Sequence, residues 1–442
     1  MNEKSKIAIL GGGLSGLALA YLLDKNGISD FLLLEKNSEC GGLMRSAREQ
    51  GFTFDIGGSH IIFSKDKKIL NFMVHLLKDN VVRNRRNTKI LYKNRYVKYP
   101  FENGLADLPK EDNFECLYYF IQNLIKRKIG KIDKPKNFKE WCYYTFGKGI
   151  AEKYLIPYNE KIWKYPLEKI GLEWVERVPN PSAEDIIKSS LGIETEGYTH
   201  QLYFYYPKYG GIQSLIKSLE TPVRKKIVTH FEIKEIERTG SRWVISNGRE
   251  KYEFDKIVST IPLPELVKVL KHVPTQIKEI VNRLKFNSLI TVALGVNTPK
   301  INHLSWLYIP DKYILPHRVS FPSNYSPYVS PEDKSLILAE ITCNYGDEIF
   351  ISEDENISKK VIGDLHALKI INKNDVCFSR VTRIKYAYVI PDLEYKENVI
   401  KLNEYFKNIG IILCGRFAQW KYMNMDACVE AAMKVANKLA AE

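Results

Sequence analysis

The chain has 442 residues, enough for a large core and about three domains; 45% are hydrophobic and 27% charged, which excludes a disordered, collagenous or coiled-coil protein. Lys and Arg number 66 against 52 Asp and Glu, a net charge of +14, and the stretch from Lys65 to Lys139 alone holds 19 basic and 8 acidic residues. Such a stretch suits a solvated surface, an anionic substrate or an acidic membrane surface, whereas no zinc-finger spacing or RNA-binding signature points to nucleic acid. Seven scattered cysteines without CxxC spacing predict a reducing compartment and no metal framework. The uncharged run Ile7–Leu23 after Lys4 and Lys6 mimics a signal peptide, but Gly11, Gly12, Gly13 and Gly16 make a turn that a secretory segment does not need. No stretch reaches the roughly 20 apolar residues of a membrane helix, so the expectation is a cytoplasmic protein.

In chain order, Ile7–Leu10 predicts a short buried strand running into the glycine cluster. Leu14, Leu17, Tyr21 and Leu22 then follow helical spacing as far as Asn26-Gly27, and Phe31–Glu35 predicts a second strand ending in an acid: a βαβ unit. From Lys67 to Ser190 strand alternation mostly disappears, and Ile69–Leu77, Phe114–Lys126, Phe138–Phe146 and Ile150–Leu155 predict helices. Alternation returns near Tyr203, with strands expected at Ile227–Arg238, Ser241–Ser246, Lys256–Thr260, Leu289–Val296 and Ser335–Thr342. Gly410–Gly415 predicts one more buried strand, leading into a final helix from Ala427. The expected class is α/β: a Rossmann-like dinucleotide domain (1–66), a helical insertion on the substrate side (67–200), a continuation of the first domain (201–260), an antiparallel sheet domain (261–405) and a C-terminal return (406–442).

Gly11-x-Gly13-x-x-Gly16 sits between the first strand and the helix, and Glu35 closes the next strand. Each residue has a mechanical reason. Gly11 allows the tight turn, Gly13 lets the backbone approach a pyrophosphate, Gly16 permits close helix–sheet packing, and the carboxylate receives ribose hydroxyls.

The residues after Glu35 separate FAD from NAD. Gly41-Gly42-Leu43-Met44-Arg45-Ser46 and Phe54-Asp55-Ile56-Gly57-Gly58-Ser59-His60 resemble the extended flavoprotein pattern of the amine oxidase and protoporphyrinogen oxidase superfamily, in which a glycine pair and a basic residue contact the FAD pyrophosphate. Further along, Tyr99-Pro100-Phe101-Glu102-Asn103, Pro157–Trp163, Trp174–Val178, Phe321–Tyr328 and Gly415–Tyr422 fall in the order seen in UDP-galactopyranose mutases, most like the eukaryotic type. Nearly the whole chain is covered.

The resemblance implies that Gly11, Gly13, Ser15, Gly16, Glu35, Gly42, Arg45, Gly58, Ser59, Ile233, Gly415 and Arg416 meet FAD, with His60 near the flavin ring. It further implies that Arg177 and Arg318 clamp a sugar-nucleotide diphosphate, since a guanidinium offers bidentate, permanently charged contacts to phosphate. Tyr308, Tyr388 and Tyr422 would line the phosphate and sugar site, Asn159 and Trp163 would lie near the nucleotide, and Tyr99 with Phe101 would hold uracil between aromatic faces. Glu102 stands where the eukaryotic-type enzymes carry an amide; an ionised carboxylate accepts a hydrogen bond but donates none. Asn424 likewise replaces an acid of the bacterial mutases.

The function so implied is a flavin-dependent isomerase of cell-surface glycan biosynthesis, interconverting UDP-galactopyranose and UDP-galactofuranose by attack of reduced-flavin N5 on the anomeric carbon. Its implied partners are a UDP-sugar substrate and an external electron donor such as NAD(P)H, with membrane-surface association open and oligomeric state unspecified. No metal site is expected. The competing readings are an FAD-dependent oxidoreductase of the amine oxidase or protoporphyrinogen oxidase kind, disfavoured by two unpaired guanidiniums facing a neutral substrate, and a non-catalytic nucleotide- or membrane-binding protein.

Overall fold

Ala8, Ile9 and Leu10 have no exposed surface, because the first strand, β1 (Glu3–Leu10), is flanked on both edges and covered on both faces. Its parallel neighbours are β2 (Phe31–Leu34) on one side and Lys251–Ser259 on the other, with Leu10 level with both Leu34 and Ser259. A strand buried on both faces is apolar throughout rather than alternating, which is why these runs are legible in the sequence. The computed structural model describes residues 3–195 and 202–442, excepting the side chains of 3–5, 176 and 177.

Among the described residues, the first sheet has seven strands, in the order Glu235–Thr239, Arg242–Ser246, Lys251–Ser259, β1, β2 and Ile227–Val228, with Ile411–Leu413 also pairing with Lys251–Ser259. Helix α1 (Leu14–Lys25) and the C-terminal helix Met425–Ala441 pack together over it, sharing a core of Leu17, Leu19, Val429, Ala432 and Ala436. The run expected as one strand from Ile227 to Arg238 is two, separated by a loop at 229–234 that borders the cleft described below.

The second seven-stranded sheet runs Val376–Ile390, Lys285–Val296, Ser335–Cys343, Arg318–Ser320, Trp306–Tyr308, Thr88–Tyr92 and Arg95–Lys98; all pairs are antiparallel except Trp306–Tyr308 with Thr88–Tyr92. Its last two strands fall within 67–200, the stretch expected as a helical insertion in which strand alternation mostly disappears. They form a hairpin turning through Lys93 and Asn94, both at positive φ (47° and 61°), the geometry of a two-residue turn. The helices Lys110–Lys128, Phe138–Ile150, Ile156–Trp163 and Ala183–Ser190 surround a separate core of Phe101, Phe120, Phe138, Phe146 and Trp163. Ile7–Leu23, the run that mimics a signal peptide, is core strand and core helix.

Candidate functional site

A cleft of about 1340 Å³ runs from the glycine turn, between the two sheets, to the helical layer. At one end, Gly11 turns at φ +96°, and a Cβ at Gly16 would lie 2.0 Å from the Gly11 carbonyl oxygen. A Cβ at Gly13, in contrast, would meet no atom within 4 Å. Gly13 is the N-cap of α1, and no side chain caps it, so the first-turn amides remain available to an anion. Glu35 is buried at the end of β2, where its carboxylate accepts the Gly12 N–H at 2.8 Å and both the backbone and side-chain N–H of Asn37 at 2.9 and 2.6 Å. These features fit a dinucleotide: an open cradle over a helix N-terminus with a fixed carboxylate beyond it.

Ser15, Gly42, Ser59, Ile233 and Arg416 also line the cleft. Gly16, Arg45, Gly58 and Gly415 do not; they stand behind it. A Cβ at Gly415 would press on Ser15 Oγ at 2.2 Å, one at Gly58 would meet Glu340 and Leu289 at 3.2 Å, and Arg45 packs against Gly41 with its Nε buried and unpartnered. Arg416 donates to the carbonyls of Ala387 (2.7 Å) and Met423 (3.4 Å), and its guanidinium lies over the Tyr422 ring at 4.5 Å and the Tyr388 ring at 5.3 Å.

On the cleft wall, Arg318 makes a bidentate pair with Glu340, Nε to Oε1 at 2.9 Å and Nη2 to Oε2 at 2.6 Å. Glu340 is wholly buried and also accepts the Ser59 N–H at 3.1 Å. The expectation of an unpaired guanidinium is therefore corrected for Arg318. Its charge is answered by a carboxylate from the adjacent strand, opposite it in register. The pairing fixes the guanidinium plane. The side chain of Arg177 lies outside the described residues.

His60 donates Nδ1–H to the Gly58 carbonyl at 2.8 Å, which leaves Nε2 as an acceptor. Burial, with the Arg318 and Arg416 cations nearby, holds its pKa down to about 4, so the ring is neutral at physiological pH. Tyr388 and Tyr422 stack at 6.0 Å with 7° between planes, and Tyr99 meets Tyr308 at 5.1 Å. Burial keeps the Tyr388 hydroxyl protonated well above its usual range.

Among the aromatic-end residues, Tyr99, Glu102 and Asn159 line the cleft, whereas Phe101 is fully buried and stacks on Tyr154 at 5.0 Å. Phe101 thus supports the wall instead of presenting a face, a correction to the aromatic pair expected with Tyr99. Trp163 also stands behind the wall, donating Nε1–H to Asn159 Oδ1 at 3.2 Å and packing edge-on against Trp174 at 4.7 Å. Asn424 lines the cleft as the N-cap of the C-terminal helix. Sequence reasoning missed Glu340, Tyr154 and His317. For Glu340 the signal was present, as the one charge in the otherwise uncharged buried strand SLILAEITC.

Fold and site define an α/β protein in which a glycine turn and an uncapped helix N-terminus open onto an aromatic, cation-bearing cleft. The model for the flavin containing amine oxidoreductase family matches residues 14–440, and the chain belongs to that family, with a flavin as its cofactor. A crystal structure of reduced UDP-galactopyranose mutase superposes with a TM-score of 0.90 at 26% identity, covering 99% of this chain and 94% of that one. A putative protoporphyrinogen oxidase from Exiguobacterium sp. 255-15 superposes with a TM-score of 0.79 at 17% identity over the full length of both chains. In sequence, UDP-galactopyranose mutase of Mycoplasma pneumoniae is 24% identical over 225 residues, 50% of this chain and 54% of that protein. A 52-residue segment is 48% identical to the Baeyer-Villiger monooxygenase peniC of Penicillium patulum, 12% of this chain and 8% of that protein. The match thus spans about half or less of these two curated relatives. Among the described residues, no helix is long and apolar enough to cross a membrane.

Proposed function

We propose that the protein is an FAD-dependent isomerase interconverting the pyranose and furanose forms of a UDP-hexose, UDP-galactose foremost, with the cofactor reduced. The observation that carries this reading is Arg318: a buried, carboxylate-oriented cation near Tyr308, Tyr388 and His60, in the cleft that the glycine turn and Tyr99 also line. The near-complete likeness to a UDP-galactopyranose mutase supports it.

A flavin bound in its reduced form over Gly11, Gly13 and Ser15 would supply an electron pair for the anomeric carbon. The chain supplies the rest. Arg318, held flat by Glu340, has Nη1 available for a diphosphate oxygen, and the Tyr388 hydroxyl donates beside it; charge-assisted contacts of this kind both bind and orient. Neutral His60 accepts a sugar hydroxyl at Nε2, its tautomer fixed by Gly58. The stacked Tyr388 and Tyr422 rings wall off water from the reacting carbon. An amine or porphyrinogen oxidase is the second reading, favoured by the Arg318–Glu340 pair itself, because a neutralised guanidinium tolerates an uncharged substrate.

A thermal-shift panel of UDP, UDP-galactose and dTDP separates them. Ligand at a hundredfold over its Kd stabilises the native state by about 2.7 kcal/mol, so UDP and UDP-galactose are expected to raise Tm by several degrees. No shift with either, beside a shift with a diamine or porphyrinogen, would favour the oxidase.

A further inference from the structure

The helix Lys110–Lys128 carries apolar residues on two opposite faces. On the packed face, Cys116 and Phe120 are buried in the core shared with the Phe138–Ile150 helix. On the other, Phe114, Tyr118 and Ile125, with Ile129 at the C-cap, are 47–66% exposed. At 3.6 residues per turn these four fall within an arc of about 60° and run along about 22 Å of helix. Single exposed apolar side chains are ordinary; a continuous stripe opposite the packed face marks a surface that is covered in use.

The stripe ends in positive charge. From Lys126 to Lys139 the chain holds seven basic residues against one acid, Asp133. Lys126 and Lys128 stand on either flank of the stripe, and Lys131, Lys134 and Lys136 follow in the loop beyond it; all five are exposed. Arg127 instead turns inward, donating to the carbonyls of Tyr144 and Thr145 at 3.4 and 3.3 Å, and so pins the helix end to the fold. Glu140, the next acid along, is occupied by the backbone N–H of Lys136 at 2.8 Å and the side-chain N–H of Asn137 at 2.9 Å.

Chemistry separates the partners that suit such a face. A nucleic acid stacks its bases on aromatic rings, but the side chains set among the lysines are Ile125 and Ile129, which offer no ring, and Phe114 and Tyr118 stack on each other at 5.7 Å toward the opposite end. A second copy packed antiparallel would set only Glu111 and Glu115 against the five lysines, and Glu115 is already held by Lys153 at 2.7 Å. An anionic lipid surface meets both features, because headgroups attract the ammonium groups while the acyl boundary takes up the aliphatic side chains. We infer that this face of the helix lies on a membrane surface bearing anionic lipid, with Ile125 and Ile129 at the acyl boundary and the lysines among the headgroups. The helix rests on the bilayer and does not cross it, its opposite face being packed into the fold.

The test is co-sedimentation of the flavin-loaded protein with vesicles of phosphatidylcholine, alone or mixed three to one with phosphatidylserine. Wild type is expected to bind the mixed vesicles, to bind phosphatidylcholine alone far less, and to leave the mixed vesicles as salt is raised. The variant Lys126→Gln/Lys128→Gln/Lys131→Gln is expected to bind about a hundredfold more weakly, at about fivefold per lysine. Removing the same charge from exposed positions elsewhere, in Lys225→Gln/Lys373→Gln/Lys396→Gln, separates a built surface from the net charge of +14 and is expected to leave binding within about threefold of wild type. Ile125→Ser/Ile129→Ser is expected to weaken binding about tenfold or more with flavin absorbance unchanged, since both side chains are exposed. No binding of wild type to the mixed vesicles, equal losses in the two lysine variants, or no effect of the isoleucine changes overturns the inference. Light scattering on the same proteins reads the competing partner: a wild-type dimer that becomes a monomer in the isoleucine variant, with no vesicle binding, overturns the lipid and assigns the face to a second copy.

Discussion

One edge of the Arg318 guanidinium, Nε with Nη2, rests on a carboxylate with no exposed surface, so this arginine answers to the fold as well as to the proposed ligand. Replacing one partner of a buried pair strands the other. Arg318→Ala is expected to destabilise the protein by about 3–5 kcal/mol, and the double variant Arg318→Ala/Glu340→Gln by clearly less, since the second change removes the stranded charge. Urea unfolding of wild type, single and double variants reads the coupling. Equal destabilisation of the single and double variants would show that Glu340 does not depend on Arg318 for its charge balance. In the double variant, UDP affinity is still expected to be weaker by about 1.5–3 kcal/mol, because the phosphate contact is lost whatever happens to the carboxylate.

At the scale of elements, the glycine turn joins a cofactor role to a packing role, and neighbouring positions separate them. Gly16→Ala drives a Cβ to within 2.0 Å of the Gly11 carbonyl oxygen and is expected to cost about 1–3 kcal/mol in stability. A Cβ at Gly13 would meet no protein atom within 4 Å, so the fold of Gly13→Val is expected to survive while flavin binding is lost. Circular dichroism with flavin absorbance distinguishes the two, and a Gly13→Val protein that remains fully yellow would refute the cradle. The turn was legible because glycines, helix period and terminal acid agree over one short span. The hairpin at 88–98 was not: its turn is Lys93-Asn94 without glycine, and its short strands show no clean alternation, with Ile90 and Leu91 both buried in one and Val97 alone buried in the other. The 15-residue strand Val376–Ile390 was missed for a related reason. Its pairing slips at irregularities near Asn287–Leu289 and Gly295–Val296, and much of it is only partly buried, which blurs the alternation of faces.

Across the whole molecule, the cleft gathers residues from Gly11 to Glu430, and nothing in local periodicity brings Ser59, Tyr99, Arg318 and Tyr422 to one wall. That convergence was readable only through the order of motifs resembling the mutases. The resemblance placed Tyr99, Arg318, Tyr388 and Arg416 at the cleft but could not tell which aromatics face it and which support it, as Phe101 and Trp163 do from behind. Nor could it reveal Glu340 beneath Arg318, because cross-strand pairing is set by register between Arg318–Ser320 and Ser335–Cys343, fourteen residues of connection apart. The central claim concerns what this chamber does to a sugar nucleotide. It is tested most directly by incubating the dithionite-reduced, flavin-loaded protein anaerobically with UDP-galactofuranose and following UDP-galactopyranose by chromatography. The account predicts many product molecules per reducing equivalent and none from the oxidised protein. No interconversion under reducing conditions, together with oxidation of an amine or porphyrinogen in step with acceptor consumption, would contradict it.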